Sequence, residues 1–152
     1  MTKQSEKTSF LNLADILGRD TAELSKLETG EFPVAKLGGS IPWTAITQPE
    51  YKDAKKGCLH IKKGKRGQAQ DMEFDDDKMK VRLIITAVDK DKRSDFSFAN
   101  KQLLDKLGVI SAEQALELLV NPGEIHNWAI EIQDASGFSS ESQDEVADDI
   151  KN

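Results

Sequence analysis

The spacing of apolar and polar positions changes period several times along this 152-residue chain, and each change marks an element. Phe10, Leu13, Ala14 and Leu17 fall on one helical face and Gly18 stops it, which predicts a short first helix. Asp20 with Glu23 makes a capping box ahead of Leu24 and Leu27, predicting a second helix that runs to Gly30. Isolated helices this short are marginal in water, so the pair either packs at the edge of a core or forms a partner-binding arm. From Glu31 to Ala45 the period becomes two: Phe32 and Val34 alternate with Pro33 and Ala35, then Ile41, Trp43 and Ala45 follow Gly38-Gly39. That is a hairpin over about 31–46. Pro33 and Pro42 cannot donate to a ladder, so its strands are edges, and the Phe32/Trp43 face must lie on helices. Trp43 is read as a core anchor. Thr47 and Glu50, with Pro49 between them, start a helix that ends at Gly57.

Lys78 to Val88 fits a helix through Val81, Ile84, Ile85 and Val88, while its β-branched content favours a strand. Its length and the acidic run Asp75 to Asp77, favourable at the positive end of a helix dipole, decide for helix. Asp89 to Ser97 reads as a polar connection pinned by Phe96 and Phe98. Three helices then follow closely within 100–138. Asn100 caps a helix carrying Leu103, Leu104 and Leu107, ended by Gly108. Ser111 and Gln114 form a capping box in which each side chain satisfies the other's N–H, ahead of Ala115, Leu116, Leu118 and Leu119. Asn121, Pro122 and Glu124 start a third helix with Ile125, Trp128, Ala129 and Ile132 at i, i+3, i+4 and i+7. Gly137 is placed to take the left-handed conformation of a Schellman end, with Phe138 folding back towards Ile132.

Composition adds one domain of ordinary size, with 38% apolar residues. The net charge of −6 is unevenly placed: residues 139–152 carry −4 and the remaining 138 residues −2. With Val146 and Ile150 as its only sizeable apolar residues, the 139–152 tail is expected to be disordered. Between Lys52 and Arg66 the net charge is +6, followed at once by Asp71, Glu73, Asp75, Asp76 and Asp77. No aromatic residue interleaves these cations between Cys58 and Gln70, so a solvated loop is favoured over nucleic-acid binding. Cys58 is the single cysteine, which excludes an internal disulfide. Neither end shows a signal peptide or long apolar run, and Val81 to Val88 is too short to span a bilayer, so a cytosolic protein without a membrane partner is expected.

Candidate chemistry is thin. His60 and His126 are the only histidines and sit in different segments. Cys58 and His60, two apart, would face the same side of a strand, but one pair of ligands is not a zinc site. Gly64 to Gly67 lacks the spacing of a phosphate loop. Glu124 is read as a helix cap and His126 as a surface residue, and no carboxylate pair stands in an apolar setting. No enzyme, metal or cofactor is expected.

Four stretches carry a family resemblance: LLDKLGV at 103–109, ELLVNPGEI at 117–125, SGF at 136–138 and, more briefly, AITQPEY at 45–51. Together they resemble the XkdN-like tail assembly chaperones of contractile-tail phages and defective prophages. The Pro-Gly-Glu-Ile step followed by Ser-Gly-Phe is the most specific part. The resemblance spans roughly 45–138; the segments before 30 and after 138 add nothing to it, and the basic stretch at 62–67 reads as an embellishment. It supports the helical reading of 78–88. It implies a non-catalytic protein of the bacterial cytoplasm, absent from the mature virion, that keeps the tape measure protein soluble, with tail tube subunits as further clients and homo-oligomers allowed. Some such chaperones are made in two lengths by frameshifting near the end of the short form, which the acidic tail at 139–152 would accommodate. The alternatives are a nucleic-acid adaptor using 52–66 and a minor tail structural protein.

The expected fold is therefore mainly α with a small β-hairpin: a flexible N terminus at 1–8, one domain over 9–138, and an acidic tail. The expected partner contacts are Leu104, Leu118, Trp128 and Phe138, each of which also has a plain core reading.

Overall fold

The computed structural model describes residues 10–62 and 71–138; the expected loose N terminus, the tip of the basic stretch and the acidic tail lie outside them. Among the described residues the protein is mainly α, with seven helices and two separate antiparallel two-stranded sheets. The order is α1 (Leu13–Leu17), α2 (Thr21–Leu24), β1 (Thr29–Val34), β2 (Gly39–Thr44), α3 (Gln48–Lys56), β3 (Leu59–Lys62), β4 (Asp71–Phe74), α4 (Asp76–Lys90), α5 (Lys101–Leu107), α6 (Ala112–Leu119) and α7 (Pro122–Ala135).

Helix α4 is the spine, packing against β2, α3, α6 and α7. Its stripe of Met79, Val81, Leu83, Ile84, Ala87 and Val88 is buried, which settles the 78–88 ambiguity for helix. The reason is tertiary: a stripe repeating every three to four residues reaches partners on several sides, whereas a strand here would have exposed every second apolar residue. Asp75 caps it, its side chain accepting from Lys78 N at 3.0 Å.

The first hairpin lies on this spine. Phe32 pairs with Ile41, and the Phe32, Val34, Ile41 and Trp43 face is buried. Phe32 sits between two indoles, with ring centroids 5.4 Å from Trp43 and 4.3 Å from Trp128 of α7. Opposite Trp43 in the ladder is Gly30, where an added Cβ would lie 2.4 Å from the indole Cζ2. Gly30→Ala is accordingly expected to cost about 1–3 kcal/mol by overpacking. Urea unfolding measures it, and a loss under half a kcal/mol would mean the indole moves aside freely.

A polar clamp ties the hairpin to the far end of α4. Asp91, 4% exposed, accepts from Thr44 Oγ1 at 2.8 Å and from Arg93 Nε and Nη2. Arg93 Nη2 also donates to the Gly30 and Trp43 carbonyls. Lys90 Nζ donates to Ala45 O and to Glu50 Oε1, both at 2.7 Å.

Most expected helix boundaries are present, with local differences. Asn100 and Gly108 bound α5, and Thr47 with Glu50 forms the capping box of α3. Ser111 Oγ accepts from Gln114 N, but Gln114 Oε1 accepts from Ile110 N rather than Ser111 N, so that box is only half formed. Glu124 Oε1 accepts from Asn121 N at the start of α7. The Schellman end is complete: Gly137 has φ +91°, Phe138 N donates to Gln133 O and Gly137 N to Asp134 O. The Phe138 ring stacks on Tyr51 of α3, with centroids 4.6 Å apart.

The N-terminal helices are shorter than expected. α1 starts at Leu13, after Asn12 and Asp15 form its capping box, and α2 ends at Leu24. Leu27 leaves the helical stripe because the chain must extend into β1, which begins at Thr29, where Ala45 N donates to Glu28 O. Neither helix buries a residue.

Candidate functional site

The basic stretch, expected to be a solvated loop, is in part a strand. Leu59 to Lys62 pair with Asp71 to Phe74, Leu59 opposite Phe74 and Ile61 opposite Met72. The alternation of a strand puts these four apolar residues on one face, and all four are exposed. The hairpin hangs from the body through Asp75 N donating to Cys58 O at 2.9 Å. Cys58 itself is buried, its Sγ 3.2 Å from Ala54 O, and burial pushes its thiol up. His60 is exposed, with Nε2 3.6 Å from Asp75 Oδ2. The two thus do not share a face as expected, because the strand begins only after Cys58, whose side chain is claimed by α3 and Met79.

Three surfaces stand out among the described residues. The first is the bare hairpin face just given. The second is the N-terminal arm, where Phe10 is 97% exposed and Leu11, Leu13 and Leu17 are also exposed. The third is a groove of about 700 Å³ where the start of α4 faces the α6–α7 corner. Val81 and Val120, both buried, and half-buried Ile125 form its apolar floor. Asp75, Asp77 and Lys80 stand on the α4 side, Glu113 and Glu117 on the α6 side. His60 and His126, far apart in sequence, both line it. Glu113 is held by Arg82 Nη1 at 3.6 Å and Asp77 by Lys80 Nζ at 3.8 Å. A smaller recess beside it, of about 400 Å³, shares His60, Asp75 and Asp77 and adds Glu73 and Asp76.

The four residues expected to contact a partner are dispersed. Trp128 is 6% exposed and stacked on Phe32; Leu104 is half-buried against the core; Phe138 is half-buried on Tyr51. Leu118 is the one presented to solvent, at 54%. The groove carboxylates and the bare hairpin face were missed in the sequence. The alternation of Leu59, Ile61, Met72 and Phe74 was the available signal for the hairpin, but the charged stretch between them masked it.

The described residues contain no group of three or more His, Cys, Asp or Glu placed to hold a metal ion. No helix among them is long and apolar enough to cross a membrane.

Comparison with known proteins gives three results. The sequence profile of the phage XkdN-like tail assembly chaperone protein family matches residues 13–151. That match extends beyond both ends of the 45–138 span that the motifs had suggested, so the arm and the acidic tail, which carry no obvious motif, fall within the family's pattern. A crystal structure of the protein yqbn is similar in fold, with a TM-score of 0.55 and 17% identity, over 87% of this chain and 100% of that one. No match was found among curated proteins.

Proposed function

Since the chain belongs to the phage XkdN-like tail assembly chaperone family, we propose that it binds the tape measure protein and keeps it soluble until the tail tube surrounds it, with tail tube subunits as second clients. The family match over 13–151 is the observation that carries this reading. A tape measure protein is long, helical and apolar along one face, so before assembly that stripe is an aggregation liability. A carrier must offer apolar surface of its own while staying in solution. This chain has exposed apolar residues on the β3–β4 face and on the arm, and a net charge of −6 that opposes self-association.

The action is one of binding without catalysis, in the host cytoplasm, and the protein is not carried into the virion. Of the expected contacts, Leu118 is exposed on α6 and so is the one within reach of a client. Leu104, Trp128 and Phe138 act by fixing the helices that present it.

Co-expression with the tape measure protein encoded beside it, followed by size-exclusion chromatography with light scattering, tests the reading. The tape measure should become soluble and co-elute at both low and high salt, because burial of an apolar stripe is little weakened by salt. A tape measure that stays insoluble would sink it. A complex with nucleic acid that dissolves steeply as salt rises would instead favour the basic stretch at 52–66.

A further inference from the structure

The groove at the start of α4 differs from the other two surfaces in having both a floor and a charged rim. The hairpin face and the arm are bare apolar patches, with nothing that selects an occupant. In the groove, Val81, Val120 and Ile125 lie at the bottom, and acidic side chains stand on both sides. Taken with the adjoining recess, the lining holds Glu73, Asp75, Asp76, Asp77, Glu113 and Glu117 against Lys78 and Lys80, a net of −4. The described residues 10–62 and 71–138 carry 15 lysines and arginines against 21 aspartates and glutamates, a net of −6, so this cleft and the adjoining recess hold the larger part of their net negative charge. Two of the carboxylates are already engaged by Arg82 and Lys80. Glu117 is exposed and has no ion-pair partner among the described residues. A cleft of about 700 Å³ also lies inside the range of roughly 300–1,000 Å³ usual for built binding sites.

We propose that this groove is the client-docking site, and that it takes an amphipathic helix whose apolar stripe is flanked on both sides by lysine or arginine. The inference rests on the chaperone reading for the identity of the client and names the surface and the chemistry that reading leaves open. Apolar side chains of the client helix settle on exposed Pro122 and half-buried Ile125, with Val81 and Val120 beneath them, in the manner of a helix laid in a groove. Its flanking cations meet Asp77 on one rim and Glu117 on the other. The floor supplies affinity and the rim supplies selection: helices with acidic flanks are repelled, and encounter with basic ones is accelerated. A carrier that must bind many successive segments of one long client gains from a rule based on charge flanks rather than on a particular sequence.

The probe is a labelled synthetic helix of leucine and lysine, with leucines at i, i+3, i+4 and i+7, tested by fluorescence anisotropy against the full chain. The variant D77K/E117K reverses both rims. The control D105K/E131K makes the same change in net charge at exposed positions outside the groove. Circular dichroism checks that both fold. The groove variant should bind the peptide about tenfold more weakly or worse, with the control within about twofold of the original chain, and the difference should shrink at high salt. Equal weakening in both variants would mean that overall charge, not the groove, attracts the peptide, and would overturn the proposal. So would a self-associated form that only D77K/E117K converts to a monomer, since the occupant would then be a second copy. The same variants are carried into the tape measure co-expression. A tape measure held soluble by D77K/E117K as well as by the original chain leaves the chaperone reading intact and overturns the groove. A peptide that binds in the groove while the tape measure stays insoluble does the reverse.

Discussion

Trp128→Ala is expected to lower the unfolding free energy by about 3–5 kcal/mol, the range for removing a large aromatic side chain from a packed core. The indole lies 4.3 Å from Phe32 with the two rings within 1° of parallel, and Phe32 in turn rests on Trp43 at 5.4 Å. Removing the outer ring of this stack opens a cavity against a side chain that is itself fully enclosed. The contact also joins α7 to the first hairpin, so it is the place where the C-terminal helices and the sheet hold each other. Domains of this size have a total stability of about 5–15 kcal/mol, so the loss is a large share of the whole. Urea unfolding followed by circular dichroism measures it. A loss below about 1 kcal/mol, together with loss of the client, would assign Trp128 to contact with the partner and show that the stack is dispensable for folding.

Asp91→Ala is expected to cost about 2–3 kcal/mol near neutral pH, the worth of hydrogen bonds to a charged group in an enclosed position. The carboxylate gathers Thr44 Oγ1, the backbone N–H of Arg93 and the Arg93 guanidinium, which itself braces the Gly30 and Trp43 carbonyls. The guanidinium beside it, with further help from these N–H and O–H donors, holds the Asp91 carboxyl down at about 2, against an ordinary value of 3.8. A depressed folded-state value means that the unfolded chain binds the proton first as pH falls. The contribution is therefore complete above 3.8 and is lost as pH drops through about 2. Melting curves of the original chain and the variant should converge over that interval. A gap that stays constant down to pH 2 would show that Asp91 stabilises the hairpin by shape and not by charge.

Much of this architecture was legible because it depends on local chemistry. Asn100 and Gly108, Thr47 and Glu50, and Gly137 each satisfy or release backbone groups within a few residues of themselves, so their signals survive without knowledge of the fold. The first hairpin was legible for the same reason, its two alternating runs being separated only by a short turn containing Gly38. What escaped is what depends on distant partners. Ser111 lost half its box to Ile110, whose N–H competes for the same Gln114 oxygen. The stacking of Phe138 on Tyr51 of α3 joins residues far apart in sequence and has no local signal. β3 and β4 pair across a charged stretch with no tight-turn signature, so nothing in either strand alone announces the other. The groove is the extreme case. His60, Asp77, Glu117 and His126 come from four elements, brought to one cleft by the packing of α4 against α6 and α7 and by His60 of β3 lying beside Asp75 at the start of α4.

The second hairpin also has an evolutionary consequence. Its strands bury nothing in the spine, and it joins the body at its root by the bond between Asp75 N and Cys58 O. Leu59, Ile61, Met72 and Phe74 are all exposed, so a lineage can exchange them without repacking a buried side chain. Such a module lets one inherited body vary its surface at the periphery while the core stays as it was.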